Sequence, residues 1–263
     1  GVDGFRLDHV SAYNATESPW GYDIAWWEDW KADLLAVNPD AFTFAEQADW
    51  GSHGADLLSA HDAAMTKPFL FAARNALSGE QAGQLYSEMQ ATLASLPAGR
   101  TYLNTLGDHD VDRLSSTIGT SLTKAKVAAA IQMTQPFPPV IYFGDEIGML
   151  GTKQNYGSAA NDIPMREPFK WNAVAGSPMS NYYVLNSQAY SNSFSTNNDT
   201  RSVQEQQGAS TSLLEAYKTL IAARKNHVAL RYGSYHEVPA SSTRVWAFLR
   251  HVADTETLLV VIN

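Results

Sequence analysis

The sequence predicts an α/β fold built on a parallel sheet of the (β/α)8 TIM-barrel kind, followed by the start of an all-β segment. Three observations carry this expectation. Short apolar runs alternate with longer amphipathic stretches, carboxylates fall at the ends of the short runs, and after about residue 232 the pattern turns to β-like runs with no helix between them. Repeated βα units imply a parallel sheet covered by helices, either doubly wound or closed. In a closed barrel the reactive groups come from the C-terminal ends of several strands. Asp8 ends the first short run, Glu46 ends the second, and His109 and Asp110 follow the fourth, which favours the barrel. Five strands are expected where eight close a barrel.

The elements follow in order. "DGFRLD" (3–8) reads as a strand whose period-2 alternation puts Arg6 and Asp8 on one face and Phe5 and Leu7 on the other. Ile24, Trp27, Trp30, Leu34 and Val37 recur at helical spacing behind an Asp23 cap. "AFTFAE" (41–46) is the second strand, and after a glycine-containing loop "AHDAAMTKPF" (60–69) is a weaker third. Leu85, Met89, Leu93 and Leu96 mark a helix, "TYLNTL" (101–106) a strand, 123–134 a helix, and "PPVIYFG" (138–144) a buried strand. Residues 152–211 show little periodicity. The last helix spans 212–230, with a Ser212/Glu215 capping box and a buried stripe of Leu213, Leu214, Tyr217, Leu220 and Ile221. Residues 1–231 are thus read as barrel, and 232–263, with "RVWAFLRH" and "TLLVVIN", as the start of a β-sandwich domain.

Composition narrows the function. A hydrophobic content of 44% supports a substantial core, and the net charge of −9, with no basic run, argues against nucleic-acid or anionic-membrane partners. No apolar stretch reaches the roughly 18 residues that span a bilayer. The absence of cysteine excludes disulfides and thiol catalysis. Charged residues are only 17%, replaced by Ser, Thr, Asn, Gln, Trp and Tyr, a mix that points to an extracellular or periplasmic carbohydrate-active protein. The chain begins inside what reads as a strand and without methionine, so it is expected to start within a longer protein.

Carboxylates at successive strand ends suit cleavage of a glycosidic bond, where one attacks or stabilises the anomeric carbon and another protonates the leaving oxygen. Arg6, two residues before Asp8 on the same face, can keep Asp8 ionised, which makes Asp8 the nucleophile. Glu46, given anionic neighbours and partial desolvation, is expected to have a raised pKa and to act as the acid. Other readings remain for each residue taken singly: a structural Arg6–Asp8 pair, a surface Glu46, and a turn, helix cap or divalent-metal site in "GDHDVDR".

These segments together resemble the α-amylase family of glycoside hydrolases, family 13, from its fourth barrel strand onward. "GFRLD", "FTFAE", "LGDHDVDR" and "PPVIYFGDEIGM" resemble that family's strand-4, strand-5, strand-7 and strand-8 segments, and "NDIPMREPFKW" a segment often found just after them. The resemblance implies Asp8 as nucleophile, Glu46 as general acid/base, Asp110 as third carboxylate holding ring hydroxyls, and Arg6 and His109 as substrate-binding residues. It implies a retaining hydrolase of α-1,4-glucosidic bonds in starch or maltooligosaccharides, with an α-glucan as partner, no organic cofactor and a structural calcium ion for which no ligands are assigned. The alternatives it leaves are an α-glucosidase, a transglycosylase or trehalose-synthase-type enzyme, and a non-catalytic barrel homologue. Ser11 and Ala12 replace a Lys-His pair that helps place calcium in many α-amylases, and Asp108 stands where Asn is commoner, adding charge expected to raise a neighbouring carboxyl pKa. Tyr13, Trp20, Trp50, Phe143 and Tyr156 are candidate sugar-stacking rings, with ordinary core packing the favoured reading for any one of them.

Overall fold

In the computed structural model, which describes residues 2–10, 24–155, 159–179 and 196–263, the first apolar run forms β1 (Gly4–Val10) and the first amphipathic stretch forms α1 (Ile24–Val37). Next come β2 (Phe42–Gln47), a 3-10 turn (Ala55–Ser59), β3 (Ala63–Thr66), α2 (Pro68–Gly79), α3 (Gly83–Ser95) and β4 (Thr101–Thr105). They are followed by α4 (Leu114–Thr117), α5 (Leu122–Thr134) and β5 (Pro139–Val140). The five strands pair in parallel in the order β1-β2-β3-β4-β5. Further along lie α6 (Val203–Gln206), α7 (Leu213–Asn226), α8 (Val228–Tyr232), β6 (Ser234–Glu237), β7 (Trp246–Val252) and β8 (Glu256–Ile262), the last three an antiparallel sheet.

The chain divides into two compact units. The first comprises Gly1–Ala72, Gln84–Thr105 and Phe137–Val140 and contains the whole parallel sheet. Register fixes its faces, because residues paired across parallel strands point the same way. Arg6 pairs with Phe44 and Phe44 with Ala63, while Leu7 pairs with Ala45 and Ala45 with Ala64. Phe44, Ala63, Met65, Leu103 and Val140 pack on one face, which Glu46 continues. On the other, Val10, Ala45, Leu57 and Ala60 pack with Trp27 of α1, flanked by Leu7, Ile24 and Trp30. Gly4 is required where β1 meets β2, since a Cβ there would lie 2.1 Å from the Phe42 carbonyl oxygen.

Beyond Leu7, β1 departs from simple alternation. Leu7 pairs with Ala45 and Val10 with Gln47, so three steps along β1 match two along β2. This bulge places His9 at a φ of 51° and puts Val10, rather than His9, into the core against Trp27.

The second unit comprises Ala73–Gly83, Leu106–Pro136 and Ile141–Asn263. In it α5 packs along α7. Arg224 of α7 donates to the Met133 and Gln135 carbonyls (2.8 and 2.9 Å), satisfying acceptors at the open end of α5. Arg250 of β7 donates to Thr134 and Gly233 (2.7 and 2.8 Å), which ties the antiparallel sheet to the same helix end. No helix among the described residues is long and apolar enough to cross a membrane.

The glycine-containing loop between β2 and β3 carries the 3-10 turn. Several expectations are corrected. The run 60–69 is strand only over Ala63–Thr66, because Pro68 starts α2 at the position where a missing N–H costs nothing. The run 138–144 is strand only over Pro139–Val140. The helix expected over 212–230 breaks at His227, whose φ and ψ are −104° and 114°. Its buried stripe narrows to Leu213 and Tyr217, with Leu214, Leu220 and Ile221 half-buried. Ser212 accepts from the Glu215 N–H at 3.2 Å, but the Glu215 carboxylate turns instead to the Gly208 N–H and Lys218. A complete capping box forms at Ser202 and Glu205, within the stretch that shows little periodicity. The Asp23 cap lies outside the described residues.

Candidate active site

In the first unit the sheet brings Arg6, Asp8 and Glu46 together. Arg6 Nη1 meets Asp8 Oδ1 at 3.0 Å and Arg6 Nη2 meets Glu46 Oε2 at 2.7 Å, so one guanidinium bridges carboxylates from adjacent strands. The bulge contributes directly, since the backbone N–H of His9 points at the same Glu46 oxygen (3.3 Å). The two carboxyls differ in surroundings: the Asp8 side chain is 73% exposed and that of Glu46 only 6%. Glu46 also faces Lys67, whose Nζ lies 3.8 Å from Oε1. Its close charged partners within this unit are the cations Arg6 and Lys67, and the burial expected of it holds.

Lys67 was not legible as a site residue because the strand before it was read too long. The signal is present in "TKPF", where a lysine falls between the last strand residue and a helix-starting proline. The ammonium is fully buried and lies 4.0 Å from the centre of the Trp50 ring, whose π face offsets part of the cost of removing it from water. Trp50 itself is partly exposed and packs near Phe71. Phe143, another candidate platform, is also partly exposed, with Arg113 over its ring. Tyr13, Trp20 and Tyr156 lie outside the described residues.

In the second unit the segment after β4 holds His109 and Asp110. Asp108 Oδ1 accepts from the backbone N–H groups of Asp110 (2.8 Å) and Val111 (3.2 Å), forming a tight local turn. His109 Nε2 lies 3.4 Å from Asp110 Oδ2. Arg166 donates from Nε to the His109 carbonyl (3.0 Å) and from Nη2 to Asp110 Oδ1 (2.9 Å), with Asp162 at 3.3 Å and Lys153 beyond it. Arg166 belongs to the "NDIPMREPFKW" stretch, whose resemblance gave it no role.

Beneath this segment is a buried charged cluster. Arg74 donates through Nε and Nη2 to the Leu106 carbonyl (2.9 and 2.7 Å), and Arg113 through Nη1 to the Phe143 carbonyl (2.7 Å). The Asp145 carboxyl packs so closely on Gly107 that a Cβ there would lie 2.6 Å from Oδ2. Burial raises the Asp145 pKa to about 7 against the opposing pull of Arg113 and Arg74, with Glu146 and Asp108 adding to the rise. Asp108 thus acts as its extra charge predicts, as a minor contributor.

The first constellation can supply an exposed carboxylate beside a buried one, both held by the same guanidinium. That is the chemistry of a nucleophile with an acid/base partner. A model of the family described as "Alpha amylase, catalytic domain" matches residues 1–233. Alpha-amylase 3 of Dictyoglomus thermophilum is 24% identical over 273 residues, covering 100% of this chain and 50% of that protein. Alpha-amylase SusG of Bacteroides thetaiotaomicron is 32% identical over 164 residues, 60% of this chain and 22% of its own length. A crystal structure of alpha-amylase from H. orenii superposes with a TM-score of 0.82 at 25% identity, covering 99% of this chain and 51% of that one. The chain therefore spans about half or less of the length of these relatives. With the strand-end carboxylates, their bridging arginine and a family match over most of its length, the chain belongs to the alpha-amylase catalytic-domain family.

Proposed function

We propose that the protein carrying this chain is a retaining hydrolase of α-1,4-glucosidic bonds in starch or maltooligosaccharides. The observation that carries the reading is the Arg6 guanidinium bridging Asp8 and Glu46 at neighbouring strand ends. In the first step an Asp8 oxygen bonds to the anomeric carbon as the C1–O bond breaks, its electron pair passing to the leaving oxygen, which takes the Glu46 proton. In the second step Glu46 takes a proton from water, whose oxygen displaces Asp8 and leaves the product with retained configuration. Arg6 keeps Asp8 in its attacking, ionised form. His109 and Asp110 are assigned to the sugar hydroxyls through their family segment, and the ion pair with Arg166 supports a fixed orientation for Asp110.

The five parallel strands correspond in this reading to strands 4 to 8 of the barrel, and 232–263 to the start of the C-terminal β-domain. The calcium expectation is not carried further. Ser11 and Ala12, at the two positions tied to it, lie outside the described residues and bring no carboxylate. No step uses the ion.

Maltoheptaose hydrolysis, followed by NMR of the newly released reducing ends in the wild type and Asp8→Asn, tests the proposal. Initial α-anomer from the wild type and a loss of at least about a thousandfold in the variant are expected. Initial β-anomer, or full activity in Asp8→Asn, would overturn it. Trehalose or transfer products in place of hydrolysis would move the function to the transferase or isomerase branch.

A further inference from the structure

We infer that Lys67 is a positioning residue for the proton-donating oxygen of Glu46, and that it favours departure of sugar leaving groups that need protonation. The inference rests on the glycosidase reading above and adds to it a residue from the end of β3.

The two oxygens of the Glu46 carboxyl have different surroundings. Oε2 accepts from Arg6 Nη2 at 2.7 Å and from the His9 N–H at 3.3 Å. A proton on Oε2 would confront these two donors, so the acid proton belongs on Oε1. Oε1 is the oxygen that faces Lys67 Nζ, at 3.8 Å. When that proton passes to the leaving oxygen, negative charge develops on Oε1 beside a fixed ammonium. The ammonium stabilises this charge in the transition state more than it stabilises the protonated ground state.

Lys67 is built to hold that place. It is the single residue between the last residue of β3 and the proline that opens α2, and its carbonyl accepts the Phe71 N–H at 3.1 Å as the first turn of the helix closes. Its side chain is buried, with the ammonium 4.0 Å from the Trp50 ring centre. A buried ammonium gives up its hydration, so an apolar side chain would serve packing alone more cheaply.

The test uses leaving groups with opposite needs. Departure of a sugar from maltoheptaose requires the acid, whereas departure of fluoride from α-maltosyl fluoride requires little of it. In each case kcat/KM reports the steps through glycosyl transfer to the enzyme. For Lys67→Met, kcat/KM is expected to fall about tenfold or more on maltoheptaose and to stay within about threefold on the fluoride. Lys67→Arg, which restores a cation, is expected to return the ratio of the two values close to that of the wild type. A Lys67→Met variant that loses the same factor on both substrates, or on neither, would overturn the inference. Lys67→Gln serves the same comparison should the methionine variant not fold.

Glu46→Gln separates the two levels of argument. It should lose maltoheptaose activity while keeping much of its kcat/KM on the fluoride. If Glu46→Gln shows no such split, the general-acid reading fails. If it does and Lys67→Met does not, only the role of Lys67 fails.

Discussion

At the scale of single residues, chemistry is divided by environment. Asp8 and Glu46 share one arginine, yet one stands in solvent and the other is buried between cations. Asp145 shows the opposite balance: burial wins over two nearby arginines, and its pKa rises to about 7. The sign of its linkage follows. A carboxyl whose native pKa lies above its unfolded value of 3.8 binds more protons when folded. Its stabilising contribution is complete below about pH 4 and is lost as the pH rises through about 7. The groups facing it are Arg74, Asp108, Arg113, Tyr142, Glu146 and Tyr217. Asp145→Asn, which cannot titrate, should gain stability relative to the wild type from pH 5 to pH 7, by up to about 1.4 kcal/mol per pH unit. Thermal unfolding of both proteins across that range checks it, and a pH-independent difference would contradict the assignment.

At the scale of elements, the bulge in β1 links backbone to chemistry. The extra residue lets Val10 complete the core against α1 while the His9 N–H turns to Glu46. Pairing upstream of the bulge depends on Gly4. Gly4→Ala should lower stability by about 2 kcal/mol or more, because the added methyl meets a backbone carbonyl that has no room to retreat. Gly79→Ala in α2, where an added Cβ meets nothing within 4 Å, is the control and should be neutral or slightly stabilising. Denaturant unfolding of the two variants gives the comparison.

How far the elements could be read ahead follows the same physics. The helices 24–37 and 122–134 were legible from apolar spacing, as were the strands ending near Asp8 and Glu46. α2 was missed because its apolar "PFLFAA" start follows β3 after only Thr66 and Lys67, so β3 and the start of the helix merged into one strand. Lys67 was lost with that boundary. The break at His227 and the Glu215 side-chain choice depend on tertiary partners, Glu256 for His227 and Gly208 for Glu215, that local pattern cannot name.

For the molecule as a whole, the change of period separates two kinds of sheet. Five parallel strands join through crossover segments, and three antiparallel strands follow from Ser234 with short connections. The order of the sequence segments carries most of the functional reading: the residues at the ends of β1 and β2 were named from alternation and position, and the sheet register places them side by side. Register could not be read ahead, since it depends on the bulge. Nor could the buried network of Arg74, Arg113 and Asp145, whose members are distant in sequence and are recognised only once folded.

The central claim is that Asp8 forms a covalent bond to the substrate. The most direct measurement is to trap that species, by incubating the Glu46→Gln variant of the protein carrying this chain with a 5-fluoro-α-glucosyl fluoride and mapping the labelled peptide by mass spectrometry. One fluoroglucosyl group, attached to the peptide containing Asp8, is expected. A label on a different carboxylate, or none while the wild type hydrolyses maltoheptaose with retention, would contradict it.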